Sequence, residues 1–82
     1  MDKLIKRCEK LMQVLEYVRE QRPTLCHKIG SRMTSLNRYE WAMDMEYKPW
    51  FYNEKTFAAE IERIEEDVII WTQEFLERKG KS

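Results

Sequence analysis

The side chains best suited to chemistry fall in three places. Glu62, Glu65, Glu66 and Asp67 form a dense acidic run, and paired carboxylates are the equipment of general acid–base catalysis. Spaced along a helix they equally make a solvated face, and that is the reading adopted. His27 is the one histidine; with Cys8 and Cys26 it does not amount to the four-ligand set that structural zinc takes. No glycine-rich phosphate loop occurs, so the chain does not read as an enzyme, and no catalytic residue, metal or cofactor is assigned. The third place is aromatic: Tyr47, Trp50, Phe51 and Tyr52, interrupted by Lys48 and Pro49. Its rings either plug the end of a bundle at a hinge over 47–52 or expose Trp50 and Phe51 as an anchor for a protein partner, since Trp and Tyr dominate binding hot spots.

These groups must be positioned by very little protein. Eighty-two residues make one small domain, 1–82, with one core, and a chain this short gains from a partner or second copy that adds burial. Two Gly and two Pro leave few breaks, which favours long helices, and 12% aromatics with 43% hydrophobic residues is core material that disordered chains lack. The expected fold is all-α, a small helical bundle. The longest apolar run, Val68-Ile69-Ile70-Trp71, is far short of the ~20 residues of a membrane span. The start, Met1-Asp2-Lys3, lacks the apolar stretch of a secretory signal. Reduced, buried thiols at Cys8 and Cys26 fit a cytoplasmic protein.

Leu4, Cys8, Leu11, Leu15 and Val18 alternate spacings of four and three, which predicts an amphipathic helix over 2–21 that ends before Pro23. Phe57, Ile61, Ile64, Val68, Trp71 and Phe75 repeat the pattern, predicting a long helix over 53–78. Asn53 is placed to cap it, with Tyr52 and Phe57 as a hydrophobic staple. The 3.5-residue repeat is also a coiled-coil seam. It packs either inside the monomer or, with Trp50 and Phe51, forms a partner or homodimer interface comprising Ile61, Ile64, Val68, Trp71 and Phe75. Ile69, Ile70 and Leu76 widen this face. Net charge is zero but unevenly laid out: residues 1–38 hold nine bases and four acids, residues 39–82 six bases and eleven acids. Either the two halves neutralise each other in the fold, or the front half meets an anionic partner.

Between the long helices, 24–46 carries Leu25, Ile29, Leu36 and Tyr39 around Gly30. Gly inside a helix costs about 1 kcal/mol, whereas a tight turn uses its backbone freedom, so two short helices joined at Gly30 are expected, with one kinked helix over 24–47 as the alternative. This stretch resembles the helix-turn-helix of the phage repressor/Cro family of DNA-binding proteins. The likeness rests on Leu25-Cys26, Ile29-Gly30 at the turn, and Ser35-Leu36 followed by Arg38-Tyr39-Glu40; it covers residues 25–40. Cys26 stands where that family usually has alanine.

The resemblance implies a second short helix in the major groove. Arg32, Met33, Thr34, Asn37 and Arg38 would then face base edges, and Lys28, Ser31 and Ser35 the phosphates. The function expected is a small transcriptional regulator of phage or plasmid scale that binds double-stranded DNA as a homodimer. The alternative is an all-helical protein-interaction factor that docks a partner through the aromatic hinge or the acidic final helix.

Overall fold

The computed structural model describes residues 2–45 and 50–81, with side chains described for 3–45 and 50–74. Helix α1 spans Asp2–Gln21, a single 3-10 turn covers Pro23–Leu25, α2 spans Cys26–Met43 and α3 spans Glu54–Lys81. The fold is an all-α bundle, and no described residue is in a strand. No helix among the described residues is long and apolar enough to cross a membrane.

Helix α1 stops where the sequence says it must. Arg22 still closes an α-type hydrogen bond onto Val18 (2.8 Å), but its own backbone is extended at φ −131°, ψ 76°, as a residue before proline prefers. Pro23 opens the 3-10 turn and needs no donor there. The Leu25 amide bonds back to the Arg22 carbonyl at 3.0 Å, so the chain reverses within four residues and α2 returns along α1.

Helix α2 is continuous from Cys26 to Met43, and Gly30 has no positive φ. The turn expected at Gly30, and with it the pair of short helices over 24–46, is not formed. The reason lies in the burial pattern. Ile29, Met33, Leu36, Glu40 and Met43 hold the four-three helical spacing straight across the glycine, with Ile29 and Leu36 fully buried. A break at Gly30 would part fully buried Ile29 from the rest of that stripe, and taking one such side chain out of the core outweighs the ~1 kcal/mol of one glycine.

Helix α3 lays Phe57, Ile61, Ile64 and Trp71 against Cys8, Leu11, Leu15 and Val18 of α1 and Ile29 and Leu36 of α2. Each fully buried Phe, Leu or Ile contributes roughly 1.5–3 kcal/mol. The seam is thus consumed within one chain: Ile61 and Ile64 are wholly buried and Trp71 is 8% exposed. The expected interface through Ile61 and Ile64 is corrected accordingly, because both are core residues; the side chain of Phe75 lies outside the described residues. The helix starts at Glu54 behind the Asn53 cap and runs on to Lys81 rather than ending near 78. Arg22, just past the end of α1, meets α3 at Trp71 and Glu74. The last seven residues of α3 therefore extend beyond the hairpin, about 10 Å of helix, which makes a rod with extents of 52 × 20 × 18 Å.

Two substitutions test this architecture by chemical denaturation. A Cβ at position 30 would meet nothing within 4 Å, so Gly30→Ala should raise stability by up to about 1 kcal/mol; a loss would show that the glycine serves a turn. Ile64→Ala should cost about 2–5 kcal/mol.

Candidate binding site

The site is built from the start of α3 outward. Asn53 accepts the Thr56 amide on its side-chain oxygen (3.0 Å), while the Thr56 hydroxyl accepts the Asn53 amide (3.0 Å). This reciprocal bonding is the logic of a capping box. The same two side chains reach back along the chain: the Thr56 hydroxyl donates to the Phe51 carbonyl at 2.6 Å, and the Asn53 amide group donates to the Trp50 carbonyl at 3.2 Å. The helix cap therefore also pins Trp50 and Phe51.

From there a file of aromatic rings leads out of the core. Buried Phe57 stacks on Tyr39 of α2 (5.7 Å, 5°), and Tyr39 meets Tyr52 edge-on (4.8 Å, 83°). Tyr52 touches Phe51 at 4.5 Å, and Phe51 meets Trp50 edge-on at 5.8 Å. Tyr52 and Phe57 thus staple through Tyr39, not directly. The file begins at zero exposure and ends with Trp50 at 88%. Of the hinge expected at 47–52, residues 47–49 lie outside the described residues.

Beside this file is an open cleft of about 450 Å³, walled by Ser31, Thr34, Ser35 and Arg38 of α2 on one side and by Phe51 and Tyr52 on the other, with Tyr39 and Glu60 lining it too. Glu60 pairs with Arg63 one turn on; that hydrogen bond holds the guanidinium pKa above its ordinary value. Arg38 is exposed and pairs with no carboxylate among the described residues. Among the described residues the cleft therefore offers one cation without a carboxylate partner, hydroxyl groups and aromatic faces.

This geometry divides the residues assigned to DNA. Lys28, Ser31, Thr34, Asn37 and Arg38 are exposed and Ser35 is half-buried. Arg32 instead turns to α3 and pairs with Asp67 at 3.0 Å, and Met33 packs against the core. Thr34 hydrogen-bonds the Gly30 carbonyl within its own helix (3.0 Å). Sequence reasoning kept Ser31, Thr34, Ser35 and Arg38 apart from Phe51, yet the fold brings them to one cleft. It also overlooked Trp41, which is 67% exposed on α2 beside Asn37 and Asp44. The signal for Trp41 was its place opposite the Ile29–Leu36 stripe.

The front half's excess of positive charge meets acids of α3: Arg7 with Glu65 at 2.6 Å, Arg22 with Glu74 at 3.0 Å and Arg32 with Asp67. Glu65 holds the Arg7 pKa above its ordinary value, through the hydrogen bond first, with burial opposing. Among the described residues no three His, Cys, Asp or Glu side chains converge as metal ligands. The two thiols are free but differ: Cys8 is buried, as expected, whereas Cys26 is exposed at the first turn of α2, because it sits on the flank of the Ile29–Leu36 stripe. The Cys8 thiol lies 3.7 Å from the half-buried Glu40 carboxylate and donates to it. Comparison with protein-family models, with curated proteins and with solved structures yields no match to this chain.

Burial, reinforced by the negative charge of Glu40 and the hydrogen bond to it, pushes the Cys8 thiol from 9.0 up to about 12. A raised acid pKa means the folded state holds the proton more tightly, so this contribution is complete below pH 9 and is lost as pH rises towards 12. Cys8→Ala should flatten the fall in stability across that window relative to wild type. At pH 8 a thiol reagent should titrate one cysteine per chain at once, Cys26, and the second only in denaturant.

Proposed function

We propose that this chain is an all-helical protein–protein interaction factor that receives a partner segment at the cleft between α2 and the Trp50–Tyr52 shelf. The observation that carries the reading is the file of rings ending in Trp50. A large apolar side chain left 88% exposed, on a backbone held by the α3 cap and with its ring edge-on to Phe51, is presented for contact on a segment whose backbone loses little freedom on binding. Trp, Tyr and Arg are the residues that concentrate binding energy at interfaces, and the cleft holds all three or borders them. Arg38, with Glu60 already neutralised by Arg63, favours a partner segment that sets a carboxylate beside an apolar side chain. A cytoplasmic setting fits two unpaired cysteines.

A second reading, recognition of double-stranded DNA, retains one supporting observation. Lys28, Ser31, Thr34, Asn37 and Arg38 are all exposed on α2, and phosphate contacts need accessible donors more than they need a particular turn.

A peptide-display selection on wild-type protein tests the first reading. Selected peptides should carry an acidic residue next to an aromatic or aliphatic one. Their affinity should fall at least tenfold, ~1.4 kcal/mol, on Trp50→Ala, Phe51→Ala and Arg38→Ala, with helix content unchanged. Peptides indifferent to all three variants would overturn it. Fluorescence anisotropy with random duplex DNA tests the second. Binding at low salt that falls steeply with added salt and is abolished by Arg38→Glu would transfer the function to DNA.

A further inference from the structure

A second surface lies on another side of the bundle, between α1 and α3. Lys3, Arg7, Lys10, Val14, Tyr17 and Gln21 follow the four-three helical spacing along one flank of α1. Glu62, Glu65, Ile69 and Thr72 do the same along the adjoining flank of α3. Arg7 meets Glu65 and Arg22 meets Trp71 and Glu74, so the two helices run in the same direction and their flanks are in register. At one end a basic row on α1 lies level with an acidic row on α3. At the other, Val14 and Tyr17 lie level with Ile69. These three apolar side chains are 42%, 63% and 54% exposed. They border two adjoining hollows of about 220 and 400 Å³, floored by Val18, Trp71, Leu11 and Val68.

We propose that this face binds a second copy of the same chain, with α1 of each copy laid on α3 of the other. The charge layout selects the occupant. A two-fold axis parallel to the helices places one copy's α1 over its partner's α3 without reversing direction. Because Arg7 is level with Glu65, Lys3 and Lys10 then flank the level of the acidic stretch Glu62–Glu66 on the partner, and Val14 and Tyr17 stand opposite Ile69; the contact occurs twice, as an isologous interface requires. A two-fold axis across the helices would instead lay α1 antiparallel on α1, setting the basic end of each copy on Val14 and Tyr17 of the other, so that neither the charged nor the apolar half of the face is matched. Arg7 and Glu65 are already paired within each copy, so the charges left to reach across are Lys3, Lys10, Glu62 and Glu66, all exposed. The face is about 30 Å long, the length of the 20 residues of α1, and two helices wide, roughly 20 Å at about 10 Å per helix. Roughly 600 Å² per copy stands at the lower edge of specific interfaces, which matches a reversible dimer rather than an obligate one.

Sedimentation equilibrium with charge-swapped chains tests the arrangement. Wild type should move from one copy, 10.1 kDa, to twice that mass as concentration rises through the micromolar range. The double variants Lys3→Glu with Lys10→Glu, and Glu62→Lys with Glu66→Lys, should each remain monomeric, since self-pairing now sets like charge on like charge at both contacts. Mixed in equal amounts they should form a one-to-one heterodimer, because every cross-contact is again opposite in sign. Circular dichroism should show each variant as helical as wild type, and Ile69→Asp should give a monomer by removing the apolar half alone. A wild-type chain that stays monomeric to several hundred micromolar overturns the proposal. So do charge variants that dimerise as wild type does, or a mixture that stays monomeric.

Discussion

Everything in this molecule depends on one side of α3 being buried between two shorter helices. Phe57, Ile61, Ile64 and Trp71 supply the middle of a core that α1 and α2 alone could not close, because a two-helix hairpin leaves half of each apolar stripe in water. With so few residues there is one layer of core and no second one to share the load. The seam that could have joined two chains as a coiled coil is therefore spent within one, and any association must use what remains on the flanks.

Electrostatics organises the same packing without carrying much of its energy. The Arg7–Glu65 pair is well exposed, where ion pairs contribute about 0–1 kcal/mol. Arg22 is different: it is 9% exposed, and its guanidinium bonds both the Trp71 carbonyl and the Glu74 carboxylate. Hydrogen bonds to charged groups are worth about 1.5–3 kcal/mol, and an Arg buried without them would be costly. Together with Arg32–Asp67, these pairs fix how far α3 slides along the hairpin. The opposite charges of the two halves are thus in part a register device inside the fold, and the charges left over, of both signs, face outward.

The long elements were legible because their signals are redundant. Helix α1 has a four-three stripe and a proline stop, and α3 has the stripe plus an Asn53 cap, so period and punctuation agree. In the middle of the chain two local signals point one way and a longer one points the other. Gly30-Ser31 looks like a turn at the scale of four residues, but Ile29, Met33, Leu36 and Met43 keep helical phase over fifteen, and burial follows the longer pattern. Arg32 illustrates a different limit. Its partner Asp67 is 35 residues away, and nothing local separates an arginine that reaches a neighbouring helix from one that faces solvent. The cleft was invisible for the same reason, since Arg38 and Phe51 meet only after the chain reverses between α2 and α3.

The surface that remains follows from the arithmetic of one core layer. A helix with apolar residues on more than one stripe cannot bury them all in a three-helix bundle, so Val14, Tyr17 and Ile69 are left on the α1–α3 side. The aromatic file comes out on the other side, towards α2. The two faces share no side chain: the cleft uses the outer side of α2 and the start of α3, whereas the second face uses the flanks of α1 and the middle of α3. Occupying one therefore leaves the other accessible. A chain paired through α1 and α3 would present two clefts on opposite sides of the pair, and binding to a partner with repeated segments would then gain from effective concentration rather than from any new contact.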